Sequence, residues 1–417
     1  MNVQSRPAGT PIAEDSAPAP VPTWPYVSPD FFELERTHVF KKSWLMLGRE
    51  SEVPKVGDYV VKPIEIAHAE IILVRDRDGT IGAFHNVCSH RAAKVAWQKS
   101  GNTRAFVCPY HAWTYGLDGS LRGLPAAGKF PGLDKKDCGL TPVAVDIWQG
   151  FIFVNLDSDP RQGLRDYLGS VADYAEGFPF ERDAVAMRIE FPELRCNWKI
   201  ALDAFQEAYH LGILHQQTLK GIFTSDERPI GEPIAVETYE DLHRTVSFWV
   251  NTAHQVGPVE ALAHRYTSNI NSTGGDTASN AKERLYRLAP RINPTRDPGW
   301  GVDGTIIFPN TQILMMAGSY QVMTFWPLTV DSCRITMAAY YAEPANAGER
   351  FARECGFAHT KGVVLEDIHN CEHTHSAHKA RVKKVLALQE GESAIAHNWH
   401  VLERMLAPYI TAEMRAY

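Results

Sequence analysis

The chain has no hydrophobic run long enough to cross a membrane. Stretches such as Phe151–Val154 and Ile313–Met316 are four residues long, against the roughly 20 that span a bilayer as a helix. It has no run of Lys or Arg, and 42 basic against 49 acidic residues leave a formal charge of −7. Nucleic acid and anionic membrane surfaces are therefore not expected partners. The one G-x-G-x-x-G, Gly299-Trp-Gly301-Val-Asp-Gly304, runs into the strand-like stretch 306–308 rather than opening a helix, so the chain offers no evident nicotinamide or flavin site of its own. Its seven cysteines, an odd number without framework spacing, suit a reducing compartment in which Cys serves as metal ligand or core filler, and no disulfides are expected. Residues 1–30 lack the basic-then-apolar pattern of a signal peptide, and a cytoplasmic location is the expectation. No internal repeat is visible.

What remains is ample for two domains: 417 residues, 44% of them hydrophobic. The Pro/Ala/Ser-rich start reads as a surface arm, because proline removes donors and fixes the backbone. With a following helix packed on the larger domain, it takes up residues 1–40. Residues 41–160 alternate short strands such as Asp58–Lys62 and Glu70–Arg75 with turns at Asp78-Gly79 and Asp118-Gly119, an all-β module. Residues 161–417 mix strand-like runs (245–250, 306–308, 312–316, 321–326, 334–341) with helical periodicity at 198–214, 363–385 and 394–406, which makes the chain α+β. The polar stretch Ser268–Ala281 reads as a loop.

Cys88-Ser-His90 and Cys108-Pro-Tyr-His111 each sit on a turn between predicted strands and carry one Cys and one His apiece. A zinc site would use the same four ligands but more often pairs like with like. A two-iron cluster with both thiolates on one iron and both imidazoles on the other needs the mixed arms found here. With Asn86-Val-Cys88-Ser-His90-Arg91 and Cys108-Pro-Tyr-His111-Ala-Trp-Thr-Tyr-Gly116, the sequence resembles the Rieske iron–sulfur domain of ring-hydroxylating oxygenases. The other five cysteines read as core or incidental.

In Asp203-Ala-Phe-Gln-Glu207-Ala-Tyr-His210-Leu-Gly-Ile-Leu-His215, spacings of four and three put 203, 207 and 210 on one face of a continuous helix. His215 joins them only if that helix loosens near Gly212. Two imidazoles and a carboxylate make the facial triad of non-haem Fe(II) oxygenases, with open positions for dioxygen. Asp367, on the late helix, can supply the carboxylate, while its neighbour Glu366 is expected to matter much less. The rival Glu-x-x-His reading, a di-iron bundle, needs four long helices that the strand-rich middle does not offer. Cys371, His373, His375 and His378 read as a solvated helix face rather than a third metal site.

The resemblance extends over almost the whole chain. It implies an all-β Rieske domain followed by a catalytic domain with a large antiparallel sheet wrapped by helices (helix-grip type). Cys88, His90, Cys108 and His111 would hold one two-iron two-sulfur cluster, and His210, His215 and Asp367 one mononuclear Fe(II). It also implies a terminal oxygenase supplied by a ferredoxin and/or flavin reductase that uses NAD(P)H, and a homotrimer, with a small β subunit possible. In that trimer Glu207, with Asp203 as the alternative, would bridge the cluster of one subunit to the iron of the next. The bland alternative, a Rieske electron carrier, would need only the first domain. Arene dioxygenases usually carry Asp where this chain has Glu207, and in that respect it is similar to oxygenases that demethylate quaternary amines. Phe205, Trp198, Trp249 and Phe325 are the residues that could cage such a cation. The Met-rich and aromatic strands instead favour an apolar aromatic or alicyclic substrate and a role in aromatic hydrocarbon catabolism, with demethylation as runner-up.

Overall fold

The computed structural model of the chain describes residues 10–11, 18, 20–182, 185–219, 221–266, 282–283 and 285–416; the expected loop Ser268–Ala281 and most of the arm before Pro20 lie outside them. The chain forms two compact units: Arg36–Tyr167, and the chain up to Glu35 joined with that from Leu168 onward. The expected boundaries after residues 40 and 160 thus fall five residues late and seven residues early. No helix among the described residues is long and apolar enough to cross a membrane.

The unit Arg36–Tyr167 is built from three small antiparallel sheets. The largest runs Ile81–His85, Ala69–Arg75, Asp58–Ile64, Ser100–Asn102, and another pairs Leu121–Gly123, Thr114–Tyr115 and Phe106–Val107. These two present the loops 86–93 and 108–113. Asn86 fixes the start of the first loop: fully buried, its Oδ1 accepts from Val95 N and Ala96 N, and its Nδ2 donates to Ala96 O.

The other unit centres on an eight-stranded antiparallel sheet, in the order Thr10–Pro11, Pro233–Tyr239, His243–Trp249, Trp300–Ile307, Thr311–Met316, Tyr320–Thr329, Ser332–Tyr341, Val185–Leu194. Besides the two-residue edge strand Thr10–Pro11, in the stretch read as a surface arm, two strands, 185–194 and 233–239, escaped the sequence reading. The first contains Pro192, where its pairing with Ser332–Tyr341 shifts register between Phe191 and Leu194, and the second starts at a proline; both interrupt the period-two signal. The helix expected at 363–385 is Ala347–His378, and the other late helix is Ser393–Leu406. The inward stripe of the former is Val364, Asp367, Ile368, Cys371 and His375, the i, i+3, i+4, i+7 pattern of a core-facing helix. The expected solvated face is accordingly half wrong: Cys371 and His375 are buried, His375 Nε2 lies 2.9 Å from Asp331, and only His373 is exposed.

The expected continuous helix 198–214 is in fact two short ones, Trp198–Ala204 and Leu211–Leu214. Asn197 starts the first: its side chain accepts from Lys199 N and donates to Val330 O at 2.8 Å, wholly buried. Lys199 and Trp198 then meet the buried carboxylate of Glu35, at 2.7 and 3.2 Å. Asn197→Ala removes the cap and strands a carbonyl, so urea unfolding should show a loss of about 2 kcal/mol. A loss of less than about 0.5 kcal/mol, the range of neutral surface changes, would show that the cap does not hold this helix.

Two candidate metal centres

The two loops of the smaller unit share one backbone frame. Cys88 N donates to Ala93 O and Cys108 N to Trp113 O, both at 2.8 Å, while Ala92 N and Ala112 N return to the Cys88 and Cys108 carbonyls. Ala92 and Ala112 both take φ near +55°, a left-handed turn uncommon outside glycine that closes each loop on its cysteine. Both cysteines are buried in one apolar core with Trp113 and Tyr115. The His90 and His111 Nδ1 atoms stand 3.1 Å apart, and His90 stacks on Trp113 with 5.0 Å between ring centroids. Desolvation, His90 and Arg91 lower the His111 pKa, favouring the neutral form a ligand needs. Two nitrogens facing each other, and two cysteines in an apolar core, fit the donor set of a mixed-ligand iron–sulfur cluster.

The sequence reading missed Tyr115. Its hydroxyl lies 3.1 Å from Cys88 Sγ and accepts from Ser89 N at 3.0 Å, so its own proton is free for the sulfur. Burial and the Cys88 thiol raise the phenol pKa further, keeping it protonated. A hydrogen bond to a cluster sulfur favours the reduced, more negative state. Tyr115→Phe should therefore lower the cluster potential by about 50 mV, the equivalent of about 1 kcal/mol for one electron. A redox titration followed by electron paramagnetic resonance measures it, and an unchanged or raised potential would contradict the assignment.

In the larger unit, His210, His215 and Asp367 each offer a ligand atom, all within 4.8 Å of one another. Asp367 Oδ1 is 3.4 Å from His210 Nε2 and 3.1 Å from His215 Nε2. The buried atoms His215 Nε2 and Asp367 Oδ1 nevertheless make no hydrogen bond: they converge without satisfying each other, the arrangement a shared cation completes. Burial opposes charge on His210, but Asp367 and Glu207 overcome it and hold its pKa at about 10. His215 is raised the same way, against burial, by Asp367 and Glu366. Without a metal, protons are drawn to where a divalent cation fits.

The break between the two short helices sets this geometry, and it lies at 205–209 rather than near Gly212. The Phe205 carbonyl is taken by Gln312 Nε2 from the sheet, and Gln206 Oε1 accepts from the buried Arg244 Nε at 2.6 Å. Gly231 meets the Ala208 carbonyl so closely that a Cβ there would lie 1.9 Å from the oxygen. With the helix ended, Asp203, Glu207 and His210 no longer share a helical face. Asp203 turns to Tyr26 and Gln206, at 2.7 and 2.8 Å, and burial raises its carboxyl to about 6. Glu207 stays on His210, accepting from its Nδ1 and from its backbone N at 3.2 Å. The same break leaves Tyr209 and Ile213 exposed, at 42% and 67%.

Glu366 also departs from expectation. Its Oε2 lies 2.7 Å from His215 Nδ1 and accepts from Thr218 Oγ1 at 2.6 Å, so successive residues of one helix address opposite nitrogens of the same imidazole. Adjacent helical positions point about 100° apart, which is why sequence reasoning assigned Glu366 no partner.

The three ligand-type residues line a cavity of about 650 Å³, walled by apolar side chains including Phe205, Phe223, Phe248, Leu314 and Met323. Of the four expected cage aromatics only Phe205 lines it. Trp198 serves Glu35, Trp249 lies under Arg228, and Phe325 packs behind Phe205 with ring centroids 5.6 Å apart. Gly304 keeps the floor low: a Cβ there would stand 3.1 Å from Phe248 and 3.2 Å from both Gln312 and Leu314.

Comparison with known proteins matches each of the two parts of the chain to a family model. Residues 43–141 match the family model of the Rieske [2Fe-2S] domain, and residues 173–407 that of the ring hydroxylating alpha subunit (catalytic domain). The glycine betaine monooxygenase oxygenase subunit of Pseudomonas aeruginosa is 32% identical over 75% of this chain and 71% of its own length. That of Chromohalobacter salexigens is 36% identical over 52% of this chain, where the match spans about half of the relative, 47%. The naphthalene 1,2-dioxygenase of a Rhodococcus species superposes with a TM-score of 0.72 at 23% identity, covering 94% of this chain and 95% of its own, which speaks for the fold.

Proposed function

From the premise that the chain belongs to the Rieske non-haem iron ring-hydroxylating oxygenases, we propose that it is a terminal oxygenase that hydroxylates or dihydroxylates an apolar aromatic or alicyclic substrate. A ferredoxin and/or flavin reductase spending NAD(P)H would supply its electrons. When bound, the two-iron two-sulfur cluster relays single electrons and the mononuclear Fe(II) activates dioxygen beside the substrate. The chain's own residues do the rest. Glu207 and Glu366 fix the ring orientations of His210 and His215 through the nitrogens facing away from the shared point. The apolar walls desolvate and align the ring.

The cavity carries this reading: about 650 Å³ of mainly aliphatic and phenylalanine wall against His210, His215 and Asp367 suits a ring system better than a small cation. Oxidative demethylation of a methylated or quaternary amine is the second reading, supported by Glu207 in place of Asp and by the three phenylalanines in the wall. A homotrimer in which Glu207 links His210 to a neighbour's His111 is supported by exposed apolar side chains beside each centre, Tyr209 and Ile213 at one, Val87 and Tyr110 at the other. A small β subunit is not required by this arrangement.

Single-turnover assays with the reduced holoenzyme, dioxygen and either naphthalene or glycine betaine test the reading. Ring products carrying one or two dioxygen-derived atoms are expected from the arene. Formaldehyde from the betaine with no arene product would replace hydroxylation by demethylation.

A further inference from the structure

The cavity is not uniformly apolar along its length. The long helix Ala347–His378 forms one wall, contributing Asp367 at one end, then Val363 and Val364, then His359, and finally Cys355 and Ala352. At 1.5 Å of rise per residue, positions 359 to 352 stand about 12–22 Å from Asp367 along the axis. The short helix Pro258–His264 packs at that remote end, where the following Tyr266 occupies the space beside Gly348. It brings Glu260 and His264 into the cavity wall, their closest atoms 3.9 Å apart, within reach of an ion pair when His264 is protonated but too far for a hydrogen bond. Glu207 and Asp367, the other carboxylates lining the cavity, are both engaged at the triad. Glu260 is thus an acid held against an apolar channel far from the chemistry, with its side chain only 31% exposed.

We propose that Glu260 is a specificity-determining residue that receives the cationic tail of an elongated substrate, whose apolar ring lies between Phe205, Val363 and the triad. This rests on the ring-oxidation reading and deepens it. The substrate class becomes a ring system bearing an aliphatic chain of several carbons that ends in an ammonium group. A single small ring would leave most of the 650 Å³ unfilled, whereas ring plus chain reaches from the triad to the remote end. The orientation is opposite to that of a demethylase substrate, since here the nitrogen sits away from the iron ligands and the ring next to them. A carboxylate bordered by apolar wall gains more from a cation than a solvated one does, because less water competes for it.

Two probes of matched length separate charge from shape: naphthylbutylamine, and pentylnaphthalene, in which a methyl replaces the ammonium. Equilibrium dialysis against the holoenzyme and its E260Q variant reads binding without turnover. E260Q should weaken the amine about 10–100-fold, the range for one hydrogen bond to a charged group, and leave the hydrocarbon unchanged. Equal weakening of both probes, or no change for the amine, would overturn the assignment. Single turnover of the wild type with the amine should place oxygen on the ring; oxygen on the carbon next to nitrogen would overturn the orientation. If the amine shows the binding shift but neither probe is oxidised, ring oxidation fails while Glu260 stands as the tail site.

Discussion

Asp367→Ala should lose the mononuclear iron and with it turnover, while keeping the visible absorption of the cluster. Oδ1 of Asp367 lies close to both His210 Nε2 and His215 Nε2, and two imidazoles without a carboxylate do not complete a facial triad. The substitution also leaves the buried His215 Nε2 facing an empty space. Asp367→Asn separates charge from volume: it fills the space but offers a neutral oxygen, and iron should still be depleted. Glu366→Ala reads differently now that Glu366 is seen on His215 Nδ1. Iron should remain, and affinity or activity should fall about 10–100-fold, as when a ligand's outer partner is removed. Iron per subunit and absorbance of the purified proteins decide the matter. An Asp367→Ala protein with full iron would remove Asp367 from the ligand set.

Both constellations were legible from the sequence because their chemistry is carried by residue type at short spacing. Cys88, His90, Cys108 and His111 need only two loops of similar length, and both loops close by the same hydrogen bonds. Periodicity failed wherever tertiary contacts overrode local preference. Residues 198–214 have good helical spacing, yet Gln312, Arg244 and Gly231 take the carbonyl and side-chain partners of 205–208 and end the helix. Partners distant in sequence left no local signal. Tyr115 acts on the Cys88 sulfur 27 positions away, and Glu366 on the His215 Nδ1 151 positions away. Asp203 shows the converse: its spacing was right for a bridge, but the fold turns it towards Tyr26. The substrate cavity depended on which aromatics the sheet register brings to one face, and of Phe205, Trp198, Trp249 and Phe325 it selected only the first.

Glu207→Gln should leave iron and cluster contents near wild type and still cripple electron delivery to the mononuclear site. The carboxylate accepts from both the imidazole Nδ1 and the backbone N of His210, so it sets the ring's tilt and strengthens it as a ligand through the nitrogen that does not coordinate. In the proposed trimer it also accepts from the neighbour's His111. Glutamine keeps the size but turns one acceptor into a donor. One N–H of this set then loses its partner, and the charge that favours proton-bearing imidazoles on both sides disappears. Outer-partner loss alone costs about 10–100-fold, and a severed route between centres adds to it, so single-turnover cluster oxidation with substrate and dioxygen should slow by at least about 100-fold. Asp203 is directed elsewhere, its oxygens accepting from Tyr26 and Gln206; Asp203→Asn should accordingly have the smaller effect on this rate. Iron loss in Glu207→Gln would make the residue a ligand, and wild-type single-turnover kinetics would end its assignment as the bridge.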